Sequence, residues 1–523
     1  MRAYPAALFL LCAALGGCRS GGYIHETPQR LLIADQREPI SLNSILLEGP
    51  SAATLDPLIY SYLLEYDEHG NLVPDLAVEV PTKSNGGISA DGLTVKYHLR
   101  SNAKWQDGVP VTARDVAFTF HAILNPKNNV FSRYGYDRVR DVSAVDVHTV
   151  RVRLRVPYSP ITSNFFAPDQ NYGILPEHLL AAYPDLNQVP FNAKPIGSGP
   201  YRVVEWDRGD RLTLRRNTLY FRGTPPISSI TLKFIANSNT VLNQLRTREV
   251  NAYFFADPEH LQEYRAIAGA AVVRAPFAGF GVLVFNTADR TIAEPEVRRA
   301  LVQALNLTAL VRNATRNTQE FDNANRGLFS WAYDSSATPQ PYDARAAKLV
   351  LQAHHIRALT LIYESGIATS SSVAVQLQRQ LQAAGVDVAL RAYTPQMFRA
   401  PGQAGGPLFG GKFQLAFVEL YNTVDPNTQW VLSCSQIPPN GFNTSHFCDA
   451  PTERANEEDL QTYDRGLRVH YASIVQHRLV SQVPLLSLWA DNAIYVVPSN
   501  LSGFAPSPTS PYWNVWQWRL NSH

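Results

Sequence analysis

Two stretches in the first third of the chain alternate apolar and polar residues with a period of two. In residues 94–100, the apolar valine, tyrosine and leucine alternate with lysine, histidine and arginine. Residues 149–155 repeat the pattern, with arginine at the polar positions 151, 153 and 155. A period of two with one polar face is typical of half-buried strands. We interpret the arginine row as a solvated sheet face rather than an anion site.

Longer-period patterns further along the chain predict helices. Pro295 stands where a first helical residue is favoured, and an apolar stripe at helical spacing runs from Val297 to Leu305. A buried strand over 358–363, a helix over 369–384 ended by Gly385, and a strand over 386–393 then follow one another. Strand, helix and strand in this order form a βαβ unit, which predicts parallel strands in an α/β fold.

The N-terminus has the pattern of an export signal. Arg2 precedes an uncharged apolar run over residues 6–15, which ends in a Leu-Gly-Gly-Cys tetrapeptide at Cys18. The run is shorter than the roughly 20 residues that span a membrane, so we interpret residues 1–17 as a signal peptide. The tetrapeptide resembles a bacterial lipobox, which implies a lipid on the Cys18 thiol and attachment to the membrane through that anchor only. The alternative is an ordinary signal peptide cut elsewhere, with Cys18 incidental.

Length and charge narrow the class of protein. A chain of 523 residues is too long for one ordinary core and predicts two or three domains. Its 46 lysines and arginines nearly balance 44 acidic residues, and no basic stripe is present. A nucleic-acid partner usually requires such a stripe, so we predict none. The 24 tyrosines and 8 tryptophans suit a ligand-gripping surface but equally a large core.

The cysteines agree with export. Cys12 leaves with the signal peptide, and only Cys434 and Cys448 remain besides the lipidation candidate. In an oxidising compartment these two predict one disulfide that closes a surface loop. The alternative, a metal site that adds His446, has too few ligands at a suitable spacing. We therefore predict no metal and no cofactor.

A search for catalytic motifs finds none. The sequence contains no GxSxG elbow, HExxH, P-loop, GxGxxG after a strand or paired CxxC. Ser198 lies between two glycines, but Pro200 follows where a nucleophile elbow needs a helix. We predict that the protein is not an enzyme.

Six separated blocks, in order along the chain, resemble the family 5 extracellular solute-binding proteins, the group of oligopeptide and dipeptide receptors of ABC importers. The third block is the longest match, with DGLT at 91–94, LR at 99–100 and KWQDGVPVTARDV at 104–116. Its residues also have structural interpretations, because Gly108 suits a tight turn at positive φ and Thr112 suits a helix N-cap. The blocks are 39–43, 66–77, 91–116, 197–220, 285–300 and 413–426.

The resemblance implies the organisation of the whole chain. We expect a two-lobed α/β fold like that of periplasmic binding proteins (type II, cluster C), with an extra inserted domain. Domain I would comprise 18–50, 190–272 and 493–523, domain II 51–189, and domain III, the second ligand-binding lobe, 273–492. A ligand would be enclosed between the lobes by hinge closure. The implied partners are ABC permease and ATPase subunits, and the implied state is a monomeric lipoprotein at the periplasmic or outer surface of a bacterium.

The resemblance is less specific about the ligand. In peptide-binding members, an aspartate about three residues before an Asp-Pro pair binds the peptide α-ammonium, and here Asn422 stands at that position. An amide offers no countercharge, and charge-assisted hydrogen bonds are roughly twice as strong as neutral ones. We expect a peptide N-terminus to be held weakly, by another acid, or not at all. The residues predicted to line the cleft are Leu420, Tyr421, Asn422 and Thr423, with Asp425 as a substitute acid or a turn aspartate.

Several functions remain open at this point. The leading one is a receptor that captures peptides or peptide-like solutes for an importer. A same-fold receptor for a sugar, a metal chelate or an opine is the main alternative, because of Asn422. A sensor or chaperone that binds without transport, and a secreted hydrolase, are the others.

Overall fold

The computed structural model describes residues 29–46, 50–130, 132–170, 172–319, 321, 326–421 and 423–522. The predicted signal peptide, Cys18 and Asn422 lie outside the described residues. For residues 50–54 and 326 only the helical backbone is described.

Strands and helices alternate along the described chain. The strands are β1 (Arg30–Asp35), β2 (Leu64–Tyr66), β3 (Leu72–Pro74), β4 (Thr94–His98), β5 (Val139–Ala144), β6 (Thr149–Leu154), β7 (Tyr201–Asp207), β8 (Arg211–Arg216), β9 (Ser229–Phe234), β10 (Ala252–Phe254), β11 (Ala270–Phe285), β12 (Ala358–Glu364), β13 (Asp387–Tyr393), β14 (Leu415–Tyr421), β15 (Leu485–Pro498), β16 (Leu501–Ser502) and β17 (Arg519–Leu520). The helices are α1 (Pro50–Ile59), α2 (Ala113–Leu124), α3 (Ile161–Asn164), α4 (Glu177–Leu180), α5 (Ser238–Thr247), α6 (Leu261–Arg265), α7 (Pro295–Gln303), α8 (Leu307–Ala314), α9 (Arg326–Phe329), α10 (Ala344–Ala353), α11 (Ala368–Ala383), α12 (Pro395–Phe398), α13 (Gln429–Leu432), α14 (Ala450–Gln461) and α15 (Arg465–Gln482).

One ten-stranded sheet runs through the molecule in the order β13-β12-β14-β11-β15-β10-β1-β9-β8-β7. β1 is parallel to both β9 and β10, and β12 is parallel to both β13 and β14. The pairs that join these two parallel groups, β11 with β14 and β15 with β10 and β11, are antiparallel. The sheet is therefore mixed, with one parallel group at each end of a long antiparallel pair.

The antiparallel pair connects two hydrophobic cores. β11 and β15 have 16 and 14 residues, whereas most other strands are half that length. The first core holds the N-terminal strands, α2 and the C-terminal residues, and the second holds the helices and strands between Leu283 and Trp489. A third apolar cluster covers the opposite face of the second half of the sheet. The protein thus has two lobes that are joined by β11 and β15.

The local predictions for the second lobe are confirmed. β12, α11 and β13 form the predicted βαβ unit, and the two strands pair in parallel over their full lengths. Gly385 follows α11 with a φ of +89°, a left-handed conformation that favours glycine. α7 begins at Pro295, as the sequence predicts.

The local predictions for the first lobe are also confirmed. β4, β5 and β6 form a separate three-stranded antiparallel sheet on which α2 packs. Thr112 and Asp115 form a capping box at the start of α2, and Gly108 has a φ of +93° in the preceding turn. The bounds of domains I, II and III stay a prediction. The predicted borders of domain III, residues 273 and 492, fall within β11 and β15, the two strands that join the cores.

Candidate functional site

The two long strands that join the lobes have an irregularity at the point where they pass between the cores. β11 pairs with β15 at Pro276 opposite Asn492 and again at Phe280 opposite Ala490, so three residues of β11 face one residue of β15. The backbone N–H of Ala278, within this bulge, donates to the carbonyl of Pro508 at 2.7 Å. A bulge of this kind bends a strand and re-aims its side chains.

A cavity of about 200 Å³ lies at this bulge, and we call it the hinge cavity. Both lobes contribute to the wall of this cavity. The residues next to β10 come from the first lobe, those of β14 come from the second lobe, and those of β15 lie on a strand that joins the two. Aromatic rings, carboxylates and neutral polar groups all face it. The residues that define it for the following argument are Phe255, Phe277, Glu419, Tyr421, Trp489 and Asp491.

Two glycines of β11 make room for side chains that line the hinge cavity. Gly279 and Gly281 face the same side of the sheet because strand side chains alternate. A Cβ on Gly281 would lie 2.6 Å from Cη2 of Trp489, and a Cβ on Gly279 would lie 3.1 Å from the carboxyl carbon of Asp491. Real Cβ atoms do not approach that ring so closely, so Trp489 takes its position only because residue 281 lacks a side chain.

The aromatic side of the hinge cavity is a connected group of rings. The ring of Phe277 contacts those of Phe255 and Tyr421 at centroid distances of 4.9 and 5.9 Å, both edge-on. Phe255 has a φ of +55°, a left-handed conformation that is uncommon for a bulky residue and clusters at functional sites. Trp489 is only 2% exposed and packs on Phe417 at 5.7 Å.

Two carboxylates face the cavity, Glu419 from β14 and Asp491 from β15, the two strands on either side of β11. Oδ1 of Asp491 accepts a hydrogen bond from Nε1 of Trp489 at 2.7 Å. Burial raises the pKa of Asp491 to about 6, although the bond from Trp489 lowers it. Burial also raises the pKa of Glu419 to about 7, with the Asp491 and Glu364 carboxylates adding to the effect, while Arg399 and Arg37 oppose it. The Glu419 carboxylate therefore resists ionisation while Asp491 is charged.

The nearest arginine is already engaged. Nε and Nη2 of Arg399 donate to the two carboxylate oxygens of Glu364 at 2.6 and 3.2 Å. Nη2 of Arg399 also donates to the backbone carbonyl of Glu419 at 3.2 Å. Among the described residues, no side chain donates a hydrogen bond to the Glu419 carboxylate. The acid pair therefore lacks a direct cationic partner within the part of the chain that the structure describes.

The structure separates the residues predicted to line the cleft. Tyr421 lines the hinge cavity and is 43% exposed. Leu420 points to the opposite face and packs against the core there, because β14 continues to Tyr421 and its side chains alternate. The hydroxyl of Thr423 donates to the backbone carbonyl of Asp425 at 2.6 Å. The ligand-contact role of these residues stays a prediction.

Asp425 lies in a buried ion-pair network away from the hinge cavity. Its two carboxylate oxygens accept from Nη1 and Nη2 of Arg468 at 2.8 and 2.7 Å. Nε and Nη2 of Arg468 also donate to Asp459 at 3.0 and 3.1 Å. All three side chains are over 90% buried. Of the two interpretations given to Asp425, the structural one fits this arrangement.

The two lobes touch beside this network. Asp169 of the first lobe accepts from the backbone N–H of Val424 at 3.0 Å, and Nδ2 of Asn427 donates to the hydroxyl of Tyr134 at 2.7 Å. Burial raises the pKa of Asp169 to about 7, and the Asp425 carboxylate adds to the effect. The lobes are therefore held together by direct hydrogen bonds as well as by β11 and β15.

The loop after β14 contains the two remaining cysteines. Cys434 and Cys448 form a disulfide with a Cα–Cα distance of 4.8 Å. His446 is the third residue of the metal site considered as an alternative to the disulfide. Its φ is +56°, which is left-handed, and burial lowers the pKa of its imidazole. No group of three or more potential metal-binding side chains occurs among the residues that the structure covers.

Glu419 and Asp491 are the site residues that sequence reasoning missed. Each is the single acid of a mostly apolar strand segment, LAFVELY for Glu419 and LWADNAIYVV for Asp491. An acid in such a position is almost never buried without a reason. The alternating glycines of the β11 segment FAGFGVLVF are a second signal, since glycine in a strand interior often marks close approach of another group.

Comparison with known proteins identifies the family. Residues 71–437 match the model of the bacterial extracellular solute-binding proteins, family 5 Middle. The chain belongs to this family. Family 5 relatives include protein XP55 of Streptomyces lividans, which is 26% identical over 96% of this chain and 90% of its own length.

Solved structures confirm the two-lobed fold predicted for a family 5 protein. The oligopeptide-binding protein AppA of Bacillus subtilis, in complex with a nonapeptide, superposes with a TM-score of 0.80 at 21% identity, over 95% of this chain and all of its own. NikZ of Campylobacter jejuni, in complex with Ni(L-His), gives a TM-score of 0.79 at 24% identity over 94% and 100%. No helix among the described residues of this family 5 chain has the length and apolar character needed to cross a membrane.

Proposed function

We propose that this protein is an exported, Cys18-anchored receptor that captures a small peptide or peptide-like solute in the hinge cavity and delivers it to an ABC permease. The observation that carries the proposal is the position of the cavity, at the strands that join the lobes and with both lobes in its wall. A solute held there touches both lobes at once. Membership of the solute-binding family supports the same function.

The size of the hinge cavity supports a short ligand. Its volume of about 200 Å³ is below the range of roughly 300–1,000 Å³ that is usual for sites of drug-sized ligands. A dipeptide or a modified amino acid suits this space better than a long peptide. The wall agrees with such a solute, since aromatic rings supply contact area and a few polar groups supply orientation.

A small non-peptide solute is the second candidate, and the same volume favours it. AppA was solved with a nonapeptide and NikZ with Ni(L-His), yet both superpose on this chain about equally well. A shared fold therefore does not fix the ligand. A chelate, an opine or a sugar remains an alternative to a peptide for the hinge cavity.

The test of capture is native mass spectrometry of the mature chain, purified without denaturation, for a copurified solute. Gly281→Ala is the matched variant with an altered cavity wall, since the added methyl group overlaps the ring of Trp489 and displaces it. We expect the solute in the parent protein and its loss from the variant. A thermal-shift screen of peptides of two to ten residues follows, because a ligand that binds only the folded state raises the melting temperature. A shift with a sugar or chelate and with no peptide would contradict the peptide assignment.

The proposed anchor has its own test. Cys18→Ser removes the acceptor thiol and leaves the folded lobes unchanged. We expect the parent protein in the membrane fraction and the variant in the soluble extracytoplasmic fraction, since two or three acyl chains hold a protein stably to a bilayer. Equal membrane association of both forms would contradict lipidation at Cys18.

A further inference from the structure

The hinge cavity has an unbalanced charge. Three carboxylates lie in or beside it, those of Glu419, Asp491 and Glu364, and two arginines influence them, Arg399 and Arg37. Arg399 is paired with Glu364. Arg37 acts on Glu419 only through its field, with no hydrogen bond to it in the described chain. With every group ionised, the set carries one excess negative charge.

The excess is placed where water screens it poorly. Glu419 and Asp491 line the same cavity, and the charge of Asp491 raises the cost of ionising Glu419. Two coupled acids of this kind share protons as a pair. Without a cation beside them, the two acids therefore hold a proton near neutral pH, and a bound cation takes the place of that proton.

The aromatic wall is suited to the same kind of group. Phe255, Phe277, Tyr421 and Trp489 lie around the two acids. Ring faces attract a cationic nitrogen, with a contribution of about 0.5–2 kcal/mol for each contact. They also exclude water from it, which strengthens its attraction to a carboxylate.

We propose that the hinge cavity recognises its solute through one cationic nitrogen, a primary ammonium or a guanidinium, with Glu419 and Asp491 as the counter-charge. This inference rests on the proposed function and names the solute class for the same cavity. Glu419 supplies an acceptor that lacks a donor in the described protein, and Asp491 is oriented by the bond from Trp489. Arg37 faces the Tyr421 side and disfavours a second positive charge there.

Binding of the cation releases a proton from the pair. Asp491, Glu364, Arg399, Arg37 and Tyr421 are the titratable or charged groups that act on Glu419. Tyr421 stays neutral over the relevant range because burial raises its pKa to about 12. Since the raised pKa values of Glu419 and Asp491 are about 7 and 6, affinity for a cationic solute falls as the pH drops from 8 to 5.

The test uses matched pairs of probes that differ in one charge. Alanyl-phenylalanine is compared with N-acetyl-alanyl-phenylalanine, and phenethylamine with 2-phenylethanol, by isothermal titration at pH 8 and pH 5. At least one charged member is expected to bind, and its neutral counterpart to bind roughly tenfold more weakly or not at all. Titration of that charged member at pH 6.5, in two buffers of different ionisation enthalpy, should show release of up to one proton.

Variants then assign the effect to the acids. Glu419→Gln and Asp491→Asn should each weaken the charged probe by roughly tenfold at pH 8 and flatten its pH dependence. Glu458→Gln, an exposed acid on α14, is the matched control and should leave both unchanged. Because an altered fold also lowers affinity, the melting temperature of each variant is measured in parallel, and Glu419→Asp should retain part of the binding.

The outcomes separate this inference from the proposed function. Binding of only neutral or anionic probes, or of none, overturns the cationic assignment. So does a copurified solute without a positive charge whose affinity is unchanged in Glu419→Gln, although such a solute still supports a receptor. Absence of any copurified or binding solute from every chemical class counts against the receptor function itself.

Discussion

Arg468→Met tests the buried network beside the lobe contact. The guanidinium of Arg468 makes four hydrogen bonds of 2.7–3.1 Å to the carboxylates of Asp425 and Asp459. Methionine fills a similar volume but leaves two buried carboxylates without their cation. Removal of one partner of a buried ion pair costs about 3–5 kcal/mol. We expect a loss of this size in the free energy of unfolding.

The assay is urea denaturation followed by tryptophan fluorescence. Arg465→Met, one turn earlier on α15, is the matched control because Arg465 is exposed and makes no ion pair with a described residue; its guanidinium lies 4.1 Å from the centre of the Trp331 ring. An exposed contact of that kind contributes about 0.5–1 kcal/mol. The midpoint of Arg468→Met should therefore fall several times further than that of the control.

Asp425 provides the decisive second measurement. In Asp425→Asn, the ion pair is weakened while the shape is kept, so stability should fall and affinity for the copurified solute should stay within about twofold. If Arg468→Met changed stability no more than Arg465→Met, the network would contribute little. If Asp425→Asn abolished solute binding with stability intact, Asp425 would contact the ligand and our structural interpretation would be wrong.

Three further predictions follow from other parts of the molecule. Gly281→Ala should lower the free energy of unfolding by about 1–3 kcal/mol, because the added methyl group displaces the Trp489 ring. Gly466→Ala, near the exposed start of α15, is the control and should change the free energy of unfolding by less than about 1 kcal/mol. The two variants are compared by their denaturation midpoints. Reduction of the Cys434–Cys448 disulfide should cost about 3 kcal/mol in the same assay, and an unchanged midpoint with dithiothreitol would contradict it. The pKa of Glu419 is raised from 4.5 to about 7 in the fold, so the parent protein loses stability as the pH rises through that window, by up to about 3 kcal/mol. Glu419→Gln should lack this loss, and parallel stability curves of the two proteins between pH 5 and 8 would refute the assignment.

Local sequence patterns predict those elements whose structure depends on neighbours along the chain. The alternation in 149–155 gave β6, and the change of period between 358 and 393 gave the βαβ unit. The long-range arrangement came from the family resemblance, because no local pattern shows that β11 pairs with β15 across more than 200 residues. Composition and motifs contributed mainly exclusions.

The candidate site shows why the rest was missed. Leu420 was predicted to line the cleft, but β14 continues to Tyr421, and the alternation of its side chains sends Leu420 to the opposite face. Asp425 was considered as a ligand-binding acid because its ion-pair partner, Arg468, lies 43 residues further along the chain and no local pattern shows the pair. Asp491 reaches the cavity through the bulge in β11, which depends on the pairing of two distant strands.

If the hinge cavity holds the solute, as we propose, then solute binding is linked to the position of the lobes. A ligand shifts an equilibrium between open and closed forms only as far as its affinities for the two forms differ. Phe255 contributes to the cavity from the first lobe, and Glu419 and Tyr421 contribute from the second. A cation that contacts both sides is bound more tightly when the lobes meet. Hydrogen bonds such as that from Val424 to Asp169 favour the same closed form without a ligand. Closure therefore needs only a modest additional contribution from the solute, and that contribution is largest for one that neutralises the excess charge between the lobes.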